Sequence, residues 1–331
     1  MKLQLLVTQY KETDEVVKPL LDSIAIQQSI DFDEIGVIIC NDGSDVFLSD
    51  ELVQSYPYKV EYYREPHRGV SGTRNACLDY ATADYVMFCD ADDMFLNVCG
   101  IFMIFLNIAQ GFDSLNSAFI EEAKNYHTGE TVYVTHENDA TFIHGKVHRR
   151  QYLIDKDIRW NERLTIHEDS YFNVQCLNLS EKIKYCDIPF YLWKWRADSV
   201  CRQDKKFLLK TYDKLIDSND ALIDAFVMRG FTDKAMFFAC NMIFDTYYAM
   251  NKKAWIDQEN QEFREKTEMR FAEYFKKREI LWNNVPMVDK MQVSEQSRNR
   301  AMSDGLCLET VTIFEWLENI KEKYDVQQET T

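Results

Sequence analysis

Residues 85–93 read YVMFCDADD. The first five are apolar or aromatic, as in a buried strand, and the segment closes on Asp90, Asp92 and Asp93. Side chains alternate along a strand, so extended backbone would send Asp90 and Asp92 one way and Ala91 and Asp93 the other. Like charges at the end of an apolar strand repel one another unless a cation sits among them. Hard oxygen ligands in that number suit Mg²⁺ or Mn²⁺, with substrate phosphates completing the shell. The competing reading is a solvated Asp-rich turn.

The flanking sequence separates the two readings. Residues 2–8 form a short apolar segment with the character of a strand. Residues 16–28 carry apolar side chains near helical spacing, and Glu12, Asp14 and Glu15 stand where a helix dipole favours acids. Residues 34–40 (EIGVIIC) are rich in β-branched side chains and run into the turn Asn41-Asp42-Gly43-Ser44. A short helix over 49–55, a strand over 59–63 and a helix over 70–81 complete a strand–helix alternation. That is the pattern of a doubly wound α/β sheet, in which ligands bind beyond the carboxyl ends of the strands. Three polar clusters fall at such ends: Thr8-Gln9-Tyr10, Asn41 to Ser44, and Asp90 to Asp93.

Beyond a helix over 98–111 the pattern is mixed. Strands are expected over 117–122 and 131–135, a basic turn at HGKVHRR, a helix from Gln151, a helical run after His167-Glu168-Asp169, and strands over 183–195 broken at Pro189. From about Lys205 glycine and proline become scarce and helix formers dominate, notably over 222–229, 234–250, 262–278 and 310–323. The boundaries read from this change are 1–204 for an α/β domain and 205–331 for a mostly helical C-terminal region, with residues 327–331 fraying.

The 331 residues are 46% hydrophobic and 28% charged, enough for a sizeable core and against wholesale disorder. A net charge of −17 argues against gripping nucleic acid by its phosphates and against an anionic membrane surface. The nine cysteines, at 40, 77, 89, 99, 176, 186, 201, 240 and 307, are odd in number and form no CxxC pair. They read as small hydrophobes in a reducing compartment. The N-terminal apolar run is shorter than a signal-peptide core, and the longest apolar run, 98–106, is too short to span a bilayer. A cytoplasmic protein without a transmembrane segment is expected.

Seven segments occur in a telling order: VTQYKE (7–12), CNDGSD (40–45), HRGVSGTRN (67–75), YVMFCDADD (85–93), HGKVHRRQYL (144–153), HEDSYF (167–172) and YLWKWRADSV (191–200). Together they resemble the GT-A glycosyltransferases of family 2, the inverting branch of the nucleotide-diphospho-sugar transferases, over roughly residues 1–205. Thr73 stands where that family usually has Ala, and His67 where Asn often precedes the glycine. The Q-x-x-R-W motif of processive polysaccharide synthases is missing, which favours transfer of single sugars. The helical region matches no family on its residues.

The resemblance implies a Rossmann-like GT-A domain and a metal-dependent hexosyltransferase that moves a sugar from a UDP-sugar to an acceptor hydroxyl. It places the metal, Mn²⁺ or Mg²⁺, on Asp92, with Asp90 as second ligand or ribose contact and Ala91 beside them at the nucleotide. Asp93 is left open between ligand and turn residue. Asp42 would bind the base, Tyr10 would stack on it, Thr8 would offer backbone and hydroxyl contacts, and Arg74 would reach the diphosphate or pair with Asp90. Asp169 is the expected general base, because an alcohol is a poor nucleophile at neutral pH. Glu168 would contact acceptor or sugar, and both acids also suit a helix start.

His144, Lys146, His148, Arg149 and Arg150 form a basic cluster. It reads either as a site for a phosphate or acidic acceptor or as a solvated turn balancing Asp155 and Asp157, the latter favoured for Arg149 and Arg150. Trp193, Trp195 and Arg196 could line the cleft or belong to the core.

Two other classes stay open. A sugar-nucleotide-forming nucleotidyltransferase would carry a Gly-rich basic loop after the first strand, where this chain has TQYKETDE. A nucleotide-binding scaffold would be free to lose the D-x-D or the base. The acceptor is left open among carbohydrate, polymer, protein and, less favoured, a modified nucleic-acid base, for which Lys276, Lys277 and Arg278 hint at a basic face. The helical region is a candidate for oligomerisation.

Overall fold

The computed structural model describes residues 1–125, 128–197, 199, 206–303, 305 and 307–325. Asp198, Val200, Cys201, Lys205 and the tail 327–331 lie outside the described residues. The chain divides into two compact units, Met1–Ser199 and Val200–Thr331.

The first unit runs β1 (Leu3–Gln9), α1 (Asp14–Ala25), β2 (Ile35–Asp42), α2 (Asp50–Gln54), β3 (Lys59–Glu65), α3 (Gly69–Tyr80), β4 (Tyr85–Asp90), β5 (Met94–Phe95), α4 (Gly100–Ile108), β6 (Ser114–Ser117), β7 (Phe119–Lys124), β8 (Thr131–His136), β9 (Lys146–Arg149), α5 (Arg150–Asp155), α6 (Glu168–Asn178), β10 (Ile183–Cys186) and β11 (Tyr191–Trp193). The main sheet has the order β10-β6-β9-β4-β1-β2-β3, and a second sheet the order β5-β11-β7-β8. This is an α/β fold, with a mostly helical region after it in sequence.

Buried β-branched and leucine side chains on β1 and β2 make these strands two-faced, as a parallel sheet covered on both sides requires. Register then carries the polar ends together: Thr8 lies beside Cys40 on one side and Asp90 on the other, and Gln9 lies beside Asn41.

The expected basic turn at HGKVHRR is instead β9, an interior strand between β4 and β6. It runs antiparallel to β4, so its start meets the carboxyl end of β4. Gly145 makes this entry possible. Its φ is +68°, and a Cβ there would lie 2.5 Å from Ser117 Oγ and 3.1 Å from Ser117 O. The five basic residues therefore part company. His144, Lys146 and His148 are buried. Arg149 donates to Asp113 Oδ1 at 2.6 Å, and Arg150 Nε donates to Ala83 O at 3.1 Å, so neither balances Asp155 or Asp157.

The second unit comprises α7 (Phe207–Met228), α8 (Thr232–Met250), α9 (Lys253–Ile256), α10 (Gln261–Asn284), α11 (Met287–Ser303) and α12 (Ile313–Asp325). Its core includes Phe226, Ile243, Phe244, Phe271, Tyr274, Phe275 and Trp282. An acidic row on α7 meets a basic row on α10: Asp217 with Arg270 at 2.6 Å, Asp220 with Arg278 at 2.7 Å and Asp224 with Lys277 at 2.7 Å. The basic face suggested by Lys277 and Arg278 is thus neutralised within the unit. No helix among the described residues is long and apolar enough to cross a membrane.

Candidate active site

The alternation expected for Asp90 to Asp93 ends at Asp90, where β4 stops. A turn closes with Asp93 N–H donating to Asp90 O at 3.2 Å and carries Asp93 back under the strand end. Asp93 is fully buried. Its Oδ2 accepts from Tyr191 O–H at 2.9 Å and its Oδ1 from Lys194 N–H at 2.9 Å. Burial first, then the charges of Asp90 and Asp92, raise its pKa well above the usual carboxylate value. Asp93 is thus a turn residue, and its carboxylate still belongs to a group of side chains that could hold a metal ion. Asp92 lies outside that knot, a quarter exposed, and its Oδ2 accepts from Arg196 Nη1 at 3.2 Å.

Arg74 joins the end of β4 to the start of α6. It sits on α3 with 4% exposure. Nη1 donates to Asp169 Oδ1 at 2.6 Å and Glu168 Oε1 at 3.0 Å, while Nη2 donates to Asp90 Oδ1 at 3.2 Å. Its guanidinium lies 4.4 Å from the centre of the Trp160 ring. Burial by itself would lower the guanidinium pKa, but the charges of Asp169, Asp90 and Glu168 outweigh it and the net shift is upward. Burial likewise pushes Asp169 up to about 7 and Asp90 up to about 6. Arg74 opposes both shifts, Glu168 adds to the first, and Asp92 and Asp169 add to the second. Glu168 and Asp169 open α6, where the helix dipole favours acids, after His167 in the left-handed region at φ 62°.

At the other end of the sheet edge, Asp42 is buried and its Oδ1 accepts from Arg68 N–H at 2.7 Å. His67 Nδ1 lies 3.1 Å from Asp42 Oδ2, and the His67 ring lies 5.1 Å from that of Tyr10, which is 43% exposed. Gly43 is required beneath them, because a Cβ there would stand 2.4 Å from His67 N. Asn41 braces the turn, donating to Gln9 Oε1 at 2.7 Å and accepting from Ser44 N–H at 2.8 Å. Tyr10 and Lys11 N–H both donate to Glu12 Oε2, at 2.7 and 3.2 Å. The amides after β1 therefore already serve a carboxylate.

The structure thus places Thr8, Asp42, Asp90 and Ala91 at neighbouring strand ends and ties Asp90, Arg74, Glu168 and Asp169 into one hydrogen-bonded group. A metal ion fits the residue types at this edge. Asp90, Asp93 and His144 each offer a ligand atom, and these atoms lie within 4.8 Å of one another. Two carboxylates and an imidazole suit a divalent cation. Asp92 is not part of that group. The sequence reading overlooked Tyr191 and Trp160. Tyr191 joins the two arms of the turn, since its hydroxyl also accepts from Asp90 N–H at 3.2 Å. Its only sequence signal was its place in an aromatic-rich segment.

Residues 5–97 match the model of Glycosyl transferase family 2. Over that segment the chain is similar to glycosyltransferase family 2. It is 29% identical over 181 residues to the minor teichoic acid biosynthesis protein GgaB of Bacillus subtilis, covering 48% of this chain and 19% of that protein. It is 26% identical over 205 residues to the teichoic acid poly(glycerol phosphate) polymerase of Staphylococcus epidermidis, covering 57% of this chain and 28% of that protein. The chain therefore spans well under a third of the length of either relative. Among solved structures, S. aureus TarS 1–349 superposes with a TM-score of 0.63 at 17% identity, covering 99% of this chain and 92% of that one. The same TarS fragment has also been solved with UDP, at a TM-score of 0.57 and 14% identity over 94% of each chain.

Proposed function

We propose that this chain moves one sugar from a nucleoside-diphosphate sugar, with UDP as carrier, to an acceptor hydroxyl with inversion at the anomeric carbon. The observation that carries this reading is the Arg74 bridge. One guanidinium holds both Asp90, at the end expected to take the diphosphate, and Asp169, the candidate base. Base and leaving group would then flank a sugar from opposite sides. The acceptor oxygen forms its bond to the anomeric carbon as its proton passes to Asp169. The bond from that carbon to the diphosphate oxygen breaks, and its electron pair leaves with the diphosphate. A single displacement of this kind inverts the centre. Base assistance contributes typically about 10²–10⁴-fold, and a base with a pKa near 7 is well matched to neutral pH.

A divalent cation, when bound, would neutralise charge on the leaving diphosphate. Asp90 and Asp92 are the proposed ligands, because both oxygens of Asp93 already accept hydrogen bonds in a fully buried turn. Asp42, Tyr10 and Thr8 would hold the nucleoside. The UDP complex of the TarS fragment supports uridine, and the two relatives named for teichoic acid synthesis support a polymer acceptor. The Glu12 carboxylate on the amides after β1 disfavours triphosphate binding, and with it the nucleotidyltransferase reading.

Donor hydrolysis with Mn²⁺ across UDP-, GDP- and dTDP-sugars tests the proposal. Hydrolysis of UDP-sugars first is expected. Turnover of GDP-sugars alone would replace the carrier, and pyrophosphate release from a nucleoside triphosphate plus sugar phosphate would replace the reaction class.

A further inference from the structure

Trp160 stands in the segment between α5 and α6 and is 2% exposed. Its indole N–H is buried with no hydrogen-bond partner among the described residues. A phenylalanine or leucine would fill an apolar site without that cost, so the unsatisfied indole calls for an explanation.

The neighbours of the ring supply one. The guanidinium of Arg74 lies over it, 4.4 Å from its centre. Phe172 stacks on it at 4.1 Å with an interplanar angle of 4°, and Phe88 meets it edge-on at 5.1 Å and 82°. Phe172 follows Asp169 by three residues, on the same side of α6. Phe88 precedes Asp90 by two, on the same face of β4. One indole therefore touches all three elements that the Arg74 bridge joins. The backbone of Trp160 is fixed as well as its ring. Asn75, next to Arg74 on α3, accepts from Trp160 N–H at 3.0 Å through Oδ1 and donates to Trp160 O at 3.0 Å through Nδ2. The flanking residues are strapped to the same side of α3: Arg159 Nη1 donates to Asp79 Oδ1 at 2.6 Å, Arg68 Nη2 to Glu162 Oε1 at 2.7 Å, and Ser71 Oγ to Leu164 O at 3.2 Å. Arg68, Ser71, Asn75 and Asp79 recur at helical spacing.

We propose that Trp160 is a positioning residue of the transfer reaction, whose ring holds the Arg74 guanidinium in the one plane that bridges Asp90 and Asp169. The inference rests on the reading of Asp169 as the base. A guanidinium donates within its own plane, and that plane must meet Asp90, Glu168 and Asp169 together. A flat aromatic face against it selects that orientation, and an aliphatic side chain does not. The ring also packs on α6 through Phe172, so the base and the cation that holds it are set by the same side chain.

The test compares Trp160→Leu and Trp160→Phe in the full chain, each alone and combined with Asp169→Asn. It reads single-turnover hydrolysis, with Mn²⁺, of the nucleotide sugar that the wild type turns over fastest. Both substitutions shrink the side chain and should lower the thermal midpoint, but only leucine removes the flat face. The rate should fall about 10–10²-fold in Trp160→Leu, and Trp160→Phe should recover most of it. In the Asp169→Asn background the leucine effect should vanish, because a misplaced base costs nothing once the base is gone. A purely structural role predicts equal losses from leucine and phenylalanine and in both backgrounds. Either equality overturns the proposal, and so does an undiminished rate in folded Trp160→Leu. Should that variant not fold, Phe172→Leu takes its place. It withdraws the ring stacked on the indole and keeps an apolar side chain on α6. Its rate should fall in the wild-type background alone, and an unchanged rate overturns the proposal equally. Full turnover in Asp169→Asn would instead remove the base itself, which separates failure of that reading from failure of this one.

Discussion

Arg74→Met removes the cation that three carboxylates share. Each charge-assisted hydrogen bond of this kind contributes about 1.5–3 kcal/mol. The three are not additive, since one guanidinium makes them all. Solvent also screens them: the side chain of Asp90 is 34% exposed and that of Asp169 24%. Methionine keeps an unbranched side chain beside Trp160 but gives up the cation–π contact. The expected loss at pH 8 is therefore about 3 kcal/mol, the low end for breaking a buried pair.

The loss depends on pH in a definite sense. Asp90 and Asp169 have folded-state pKa values above the ordinary carboxylate value, about 6 and about 7. An acid raised in this way binds more protons folded than unfolded, so stability falls as pH rises from the unfolded pKa through the folded one. Without Arg74 both values rise further and the fall extends to higher pH. The gap between wild type and variant should be small near pH 4, open as pH rises through about 6 to 7, and go on widening until the variant's own higher values are passed. Hydrogen exchange of β1 and β4 amides, read by mass spectrometry at pH 5 and pH 8 and corrected for intrinsic rates, reports this unit independently of the helical one. A gap of equal size at both pH values would refute the argument, as would no gap at pH 8.

Asp169→Asn should lower transfer by about 10²–10⁴-fold while isothermal titration shows UDP binding intact. In the wild type kcat/KM should fall about tenfold per pH unit below about 7, because Asp169 must be ionised to take the proton; a flat profile from pH 5 to 7 would count against it. Asp92→Ala should weaken Mn²⁺-dependent UDP binding more than His144→Ala does, and the reverse order would assign the cation to Asp90, Asp93 and His144. Gly145→Ala forces an alanine to φ +68° with its Cβ 2.5 Å from Ser117 Oγ. It should cost about 2 kcal/mol, seen as a lower thermal midpoint.

Much of the α/β unit is legible in local pattern. Parallel strands buried on both faces read as apolar runs. Residues 2–8, 34–40 and 85–89 therefore announce β1, β2 and β4, and the polar clusters after them mark where those strands end. The order of short motifs was enough to reach the similarity to glycosyltransferase family 2 that residues 5–97 show. Local pattern fails where a side chain's meaning depends on what lies across from it. HGKVHRR looks like a solvated basic turn because alternating His and Lys are rare in buried strands. Only the antiparallel insertion of β9 between β4 and β6 shows that His144, Lys146 and His148 point inward while Arg149 and Arg150 do not.

The same limit hid the first half of α7. Its acidic row reads as solvent-facing until α10 brings Arg270, Lys277 and Arg278 against it. Strand parity placed Asp93 opposite Asp90, and a single turn hydrogen bond at the end of β4 reversed that. The presence of these acids followed from sequence. Their division between a buried turn anchor, Asp93, and an accessible group, Asp92, arose only from the tertiary contacts of Tyr191 and Lys194. Those contacts come from more than ninety residues downstream, and no local periodicity reports them.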